Sequence, residues 1–157
     1  MNYVLRTELL SVFRKIVDPI KADRVKSGKV AEDCLLVDIY RPRGVSDAEI
    51  MFFIHGGQFI SGSSHLYEGI ELAKLGSISV VTQYRLSIFG FLSQYDEEEG
   101  HAIGGNFGLM DQLEALKFTS KNAKNLGGDA NKVLIYGQSA GGMSVGLHML
   151  NNESSKH

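Results

Sequence analysis

Residues 50–54 set five apolar side chains in succession, Ile50, Met51, Phe52, Phe53 and Ile54. A strand with one wet face alternates apolar and polar residues, so an unbroken run of this kind marks a strand buried on both faces. Residues 78–82 and 132–136 carry similar runs. Helical patterns separate them. Residues 66–75 stop at Gly76, and residues 109–126 place apolar side chains at 109, 110, 113, 116 and 123 before Gly127 and Gly128 close the helix. Residues 35–40 alternate loosely and read as a further strand, ended by Arg41, Pro42, Arg43 and Gly44. Residues 141–150 read as a helix. Strands alternating with helices imply an α/β fold: a mostly parallel sheet with flanking helices, whose strand-end loops converge on one site.

Other segments are less patterned. Residues 1–20 hold Val4, Leu5, Leu9, Leu10, Val12, Phe13, Ile16 and Val17 at roughly helical spacing, with Pro19 as a stop. Residues 21–30 are polar and turn-rich. Residues 85–107 read as irregular, around a solvated acidic run from Asp96 to Glu99. The 157 residues suffice for one domain with a core. A net charge of −2, with no Lys/Arg run beyond two, argues against nucleic acid or an anionic membrane as partner. No apolar stretch approaches the ~18 residues of a membrane span. Arg6, Glu8, Arg14 and Lys15 interrupt any signal-peptide core. The single cysteine, Cys34, excludes an intrachain disulfide.

The chemistry gathers at Gly137-Gln138-Ser139-Ala140-Gly141, which follows Val133, Leu134, Ile135 and Tyr136 and opens a helix. Strand, sharp turn and helix are what a nucleophilic serine needs. The flanking glycines let the backbone bend, and Ser139 stands at the tip. The helix beyond it aims its first N–H groups, that of Ala140 foremost, at a developing oxyanion. The bare Gly-x-Ser-x-Gly pattern also fits a plain serine in a glycine turn; the flanking strand and helix favour the catalytic reading. A second glycine loop, His55-Gly56-Gly57-Gln58-Phe59, follows the 50–54 strand and brings backbone close to a substrate carbonyl with no Cβ in the way. A plain glycine turn is its alternative.

His55 reads as a brace for that loop, His65 and His101 as solvent-facing loop residues, His148 as a packing residue and His157 as a disordered end. None of the five is placed to take the proton of Ser139, and a serine hydroxyl without a base is a poor nucleophile at neutral pH. Asp111 reads as a cap or a dipole partner of its helix. Zinc-ligand and phosphate-loop spacings do not occur, so no metal or cofactor is expected.

Several blocks, in order, resemble the type-B carboxylesterases, the carboxylesterase/cholinesterase family. Glu32-Asp33-Cys34-Leu35 is similar to its Glu-Asp-Cys-Leu signature, and Phe53-Ile54-His55-Gly56-Gly57-Gln58-Phe59 to its His-Gly-Gly-Gly-Phe oxyanion loop. Tyr84-Arg85-Leu86 with Phe89-Gly90-Phe91-Leu92 and Gly105-Asn106-Phe107-Gly108-Leu109-Met110-Asp111-Gln112 resemble two further family blocks. Gly127-Gly128-Asp129 and Tyr136-Gly137-Gln138-Ser139-Ala140-Gly141-Gly142 complete the series. Residues 1–30 carry no family motif, and residues 31–157 are identified as a partial carboxylesterase domain.

The resemblance implies a partial α/β-hydrolase fold lacking the C-terminal strands. It implies hydrolysis of small-molecule carboxylic esters through an acyl-enzyme on Ser139, with the backbone amides of Gly57, Gln58 and Ala140 as oxyanion donors. In the family the triad acid and histidine lie far downstream of the serine, so this chain alone is expected to be inactive. The alternative is a non-catalytic cholinesterase-like binding or adhesion protein, or a non-functional fragment; retention of Ser139 and Gly57 favours the esterase. Gln58 replaces the loop's third glycine, which costs on the order of 1 kcal/mol or more if φ is positive there. Gln138 stands where many members have glutamate, and juvenile-hormone-esterase-like members resemble this chain in carrying Gln there. Cys34 matches a cysteine the family pairs upstream. Phe118 and Ala130 replace a Trp and a Pro as packing or turn adjustments. The 132–136 strand is left on a sheet edge with Val133 and Ile135 short of cover, so association through that edge is expected. Localisation is cytoplasmic if the N-terminus is genuine and secreted if the chain is a fragment of a typical member.

Overall fold

A computed structural model describes residues 33–98 and 100–157, and the backbone of residues 3–8. The strands are β1 (Tyr3–Glu8), β2 (Leu36–Arg41), β3 (Ala48–Ile54), β4 (Ile78–Thr82), β5 (Ser93–Asp96), β6 (His101–Gly104) and β7 (Gly128–Gly137). The α-helices are α1 (Ile70–Lys74), α2 (Ser87–Phe91), α3 (Phe107–Leu126) and α4 (Ala140–Leu150). Five strands form one sheet in the order β1-β2-β4-β3-β7.

Strands β4, β3 and β7 are parallel, as their unbroken apolar runs lead one to expect. Strand β2 joins β4 antiparallel, and β1 joins β2 antiparallel. Residues 42–47 alone link β2 to β3, too short a stretch for the crossover of a dozen or more residues that a parallel connection requires. Chain direction therefore reverses between them, and the sheet is mixed.

Three segments depart from the sequence reading. Residues 3–8 form a strand, registered from Tyr3 against Arg41 to Glu8 against Leu36, where a helix was expected. Val4, Leu5 and Thr7 suit either state, because a short apolar pattern does not separate the two periods. Residues 9–32, which include the rest of that expected helix, the 21–30 segment and Glu32, lie outside the described residues. The 66–75 helix shrinks to α1, preceded by a 3₁₀ turn, Ser64–Leu66. The irregular 85–107 segment contains α2 and the β5–β6 hairpin, which places His101 in a strand. His157 donates its backbone N–H to the Ser154 carbonyl at 3.2 Å and closes a 3₁₀ turn, Ser154–Lys156.

Each face of the sheet carries its own apolar cluster among the described residues. On one, Val37, Ile39, Ile50, Phe52, Ile54, Ile78 and Val80 pack with Ala115, Leu116, Ala123 and Leu126 of α3 and with Val145 of α4. On the other, among the described residues, Tyr40, Phe53 and Val81 pack with Ala73 and Ile70 of α1, Tyr67 and Tyr136. Among the described residues β7 stands at the edge of the sheet, the place expected of it, with Leu134 55% exposed and Val133 and Ile135 half-buried.

Helix α3 ends at Gly127, whose φ of +87° suits a residue without Cβ. Its buried face is partly polar, with Asp111, Gln112 and Thr119 among the apolar residues. Asp111 is no cap. Its carboxylate accepts from Arg85 N at 2.9 Å, Nε at 2.8 Å and Nη2 at 2.7 Å, which ties α3 to the residues after β4. No helix among the described residues is long and apolar enough to cross a membrane.

Candidate active site

Register brings the two glycine loops together. Ile54, the last residue of β3, lies beside Gly137, the last of β7, in a parallel ladder. The chain leaving β3 and the chain leaving β7 therefore emerge side by side at one end of the sheet. Gln138 N–H donates to the Ile54 carbonyl at 3.3 Å across that junction.

The turn at Ser139 is sharp. Ser139 has φ +54° and ψ −119°, is exposed, and precedes the first residue of α4. A positive φ at a residue with a Cβ stores backbone strain, of order 1–3 kcal/mol. The glycines act differently from the sequence reading, since neither Gly137 nor Gly141 has a positive φ. What they permit is close approach. A Cβ on Gly137 would lie 2.5 Å from the Gly141 oxygen, and one on Gly141 would collide with the carbonyls of Ile54 and His55. The strain sits on the serine itself.

The 55–59 loop abuts this elbow. A Cβ on Gly56 would lie 2.5 Å from the Gln138 carbonyl oxygen and 3.1 Å from Ser139 Cβ. Gly57, Gln58 and Phe59 all have positive φ, of 117°, 59° and 62°. The Gln58 position is thus left-handed, the case in which a glutamine there carries backbone strain. The turn is closed by Ile60 and Ser61 N–H groups donating to the Gly57 carbonyl, each at 3.0 Å. Phe59 packs edge-on to Phe91, with centroids 5.2 Å apart, and its carbonyl accepts from Ser87 N–H at 2.7 Å. Among the described residues, the N–H groups of Gly57, Gln58 and Ala140 donate to no acceptor.

His55 braces the loop from below. It is fully buried, and its Nδ1–H donates to the Gly56 carbonyl at 2.8 Å. Its Nε2 lies 3.2 Å from the Gln83 side-chain amide, which in turn reaches Ser63 Oγ at 3.0 Å. Burial holds the His55 pKa below 6.5, so the ring is neutral near pH 7. Tyr84 donates to the His55 carbonyl at 2.8 Å. From the other side, Tyr67 O–H donates to Gln138 Oε1 at 3.3 Å. Gln83, Tyr84 and Ser63 carry no signal of this bracing in their spacing alone.

Among the described residues, no histidine hydrogen-bonds the Ser139 hydroxyl. His148 is committed elsewhere. Its Nε2–H donates to Gln112 Oε1 at 3.0 Å, and its Nδ1 accepts from Ser154 Oγ at 2.8 Å. Burial lowers its pKa below 6.5. It packs, as its sequence position suggested, but through a polar network between α4, α3 and the terminal 3₁₀ turn. An open cleft of about 300 Å³, lined by Phe53, Tyr67, Ser79 and Tyr136 among others, lies on the α1 face and includes none of Ser139, Gly57 or Gln58. No group of three or more His, Cys, Asp and Glu side chains among the described residues is arranged to hold a metal ion. Cys34 is a free, exposed thiol.

A mixed sheet whose parallel strands β3 and β7 deliver a glycine loop and a strained serine to one end is the arrangement of an α/β-hydrolase. The sequence profile of the Carboxylesterase family matches residues 15–157, and the chain belongs to that family. It is 44% identical over 125 residues to the cocaine esterase of Oryctolagus cuniculus, covering 77% of this chain and 23% of that protein. It is 44% identical over 128 residues to the juvenile hormone esterase of Tribolium castaneum, covering 79% of this chain and 21% of that one. With the liver carboxylesterase of Sus scrofa it shares 38% over 145 residues, 86% of this chain and 25% of that one. The chain spans about a fifth to a quarter of the length of the curated relatives it matches.

Proposed function

We propose that this chain is the nucleophile-bearing part of a serine carboxylesterase, and that it prepares the attack on a carboxylic ester without supplying the base. The observation that carries the reading is the meeting of Ser139, held at φ +54°, with three N–H groups that no described residue engages. Unclaimed backbone donors beside a strained serine fit an oxyanion site, because a donor left free in the resting protein can bond an oxygen that becomes negative.

In this reading Ser139 Oγ adds to the ester carbonyl carbon, and the carbonyl π electrons move onto its oxygen. The amides of Gly57, Gln58 and Ala140 receive that oxyanion, assisted by the positive end of α4. Collapse expels the alkoxide and leaves an acyl-serine, which water then hydrolyses. Both halves need a group that takes a proton from the attacking oxygen and returns one to the leaving oxygen. None of the five histidines of this chain serves: His55 and His148 are bound as described, and no other histidine bonds Ser139 among the described residues. The relatives named for hydrolysing esters support the substrate class, and the donors alone still favour reaction at Ser139 over ordinary serines.

The test uses the 157-residue chain. With p-nitrophenyl acetate at neutral pH, steady turnover is expected to equal that of Ser139→Ala. With excess fluorophosphonate, a single slow adduct on Ser139 is expected. Adducts spread over other serines would contradict a prepared elbow, and brisk turnover lost in Ser139→Ala would contradict the missing base.

A further inference from the structure

We propose that Gln83 is a positioning residue of the oxyanion site: through the ring of His55 it sets the direction in which the Gly57 N–H points. The inference rests on the esterase reading above and names what aims one of its donors. The Gly56 carbonyl and the Gly57 N–H belong to one peptide unit. That unit is planar and trans, so the two groups point in opposite directions and turn together. His55 Nδ1 bonds the Gly56 carbonyl at 2.8 Å. Whatever holds the ring therefore holds the donor.

The ring is held twice. Stacking on Tyr84, with centroids 4.5 Å apart, fixes its plane. The Gln83 side-chain amide, 3.2 Å from Nε2, fixes its rotation within that plane. Ser63 Oγ, at 3.0 Å, steadies the amide in turn. The backbone of Gln83 is anchored to the sheet, where its N–H donates to the Leu36 carbonyl of β2 at 3.0 Å. An amide and a hydroxyl can each donate or accept, so the chain from ring to Ser63 closes whichever ring nitrogen holds the proton.

The same side chain ties the two ends of the loop. His55 precedes it, Ser63 follows it, and Gln83 reaches both. Gly62 closes the turn against the ring: a Cβ there would lie 2.4 Å from the Gly56 carbonyl oxygen and 2.6 Å from His55 Nδ1. Within the turn, Gln58 and Phe59 hold positive φ, a conformation that persists only where the surroundings impose it. An N–H turned away from a forming oxyanion loses much of its pull, because a hydrogen bond weakens steeply as it departs from linear. Gln83 thus acts on the rate of reaction at Ser139 without touching substrate.

Fluorophosphonate labelling of the folded 157-residue chain, over a range of reagent concentrations, tests this by separating binding from bond formation. In Gln83→Met, which keeps the length and loses the amide, the maximal rate at Ser139 is expected to fall about tenfold, with the half-saturating concentration moving less than about twofold. Ser63→Ala, a smaller change that carries the test if Gln83→Met folds poorly, is expected to lower the rate less and to add nothing in the Gln83→Met background. Amide exchange in residues 56–62 should quicken in both. Asp111→Ala, which loosens the fold elsewhere, is expected to leave the maximal rate unchanged. A rate indifferent to both Gln83→Met and Ser63→Ala, or lowered equally by Asp111→Ala, would overturn the proposal. If Ser139 of the unaltered chain labels no faster than other serines, the esterase reading falls instead, and unchanged amide exchange in residues 56–62 of Gln83→Met would still overturn the role given to Gln83.

Discussion

The Tyr84 hydroxyl donates to the carbonyl oxygen of His55 at 2.8 Å, and the two rings stack with centroids 4.5 Å apart. The contact joins the residue two past β4 to the first residue past β3, and so fixes where the glycine loop leaves the sheet. Burial, with Tyr67 adding to it, pushes the Tyr84 pKa up to about 12, so the phenol stays a donor throughout the neutral range. Tyr84→Phe keeps the ring and strands the carbonyl. A loss of about 1–3 kcal/mol is expected, the range for a buried acceptor deprived of its donor, read from the urea midpoint.

Gln58 and Gly57 respond in opposite directions. Gln58 has φ +59° and gains from becoming glycine, less the entropy that glycine adds to the unfolded chain. Gln58→Gly is expected to stabilise by about 0.5–1 kcal/mol. Gly57 has φ +117°, and a Cβ there would strike the Ser61 carbonyl. Gly57→Ala is expected to destabilise by about 1–3 kcal/mol. Thermal or urea melts of the pair give the two signs in one experiment.

The Arg85–Asp111 pair carries structure rather than chemistry. Asp111 is buried and takes two hydrogen bonds from the Arg85 guanidinium, on a side chain that is 40% exposed, and one from the Arg85 backbone N–H. Asp111→Ala is expected to cost about 1.5–3 kcal/mol, discounted toward the lower end by the solvent around Arg85. Circular dichroism during unfolding reads it. Labelling of Ser139 in the folded fraction should be unchanged, which separates this pair from the loop brace.

Acid should weaken the fold through His55 and His148. Burial lowers both pKa values below the ordinary 6.5, so the unfolded chain takes up protons that the folded chain refuses. Their contribution is complete above pH 6.5 and is lost progressively as pH falls from there toward the folded values. Unfolding free energy is expected to drop between about pH 7 and about pH 5, with a shallower slope in His148→Gln. A stability that rises on acidification over that window would contradict the assigned neutral rings.

Apolar runs at 50–54 and 78–82 were legible as buried strands because burial on both faces leaves no polar position to confuse the pattern. The 132–136 run has the same composition, and its edge place was legible from the family resemblance rather than from the run itself; composition records what a strand can bury, and neighbours decide how much it does. Residues 3–8 were misread because a few apolar side chains fit either period. The hairpin of β5 and β6 was missed since its strands are exposed and give no alternation. The turns at Ser139 and at residues 55–59 were readable from glycine spacing. The Arg85–Asp111 pair, the Tyr84 brace and the His148–Gln112–Ser154 network were not, because each joins elements that only the fold brings together.

The central claim is a prepared serine without a proton acceptor, and the pH dependence of phosphonate labelling at Ser139 tests it most directly. Intact-mass kinetics between about pH 6 and about pH 9 should give a rate that rises about tenfold per unit without levelling, as attack by a hydroxyl ionised only by hydroxide demands. A rate that levels off above an inflection near neutrality, where an imidazole loses its proton, would contradict it.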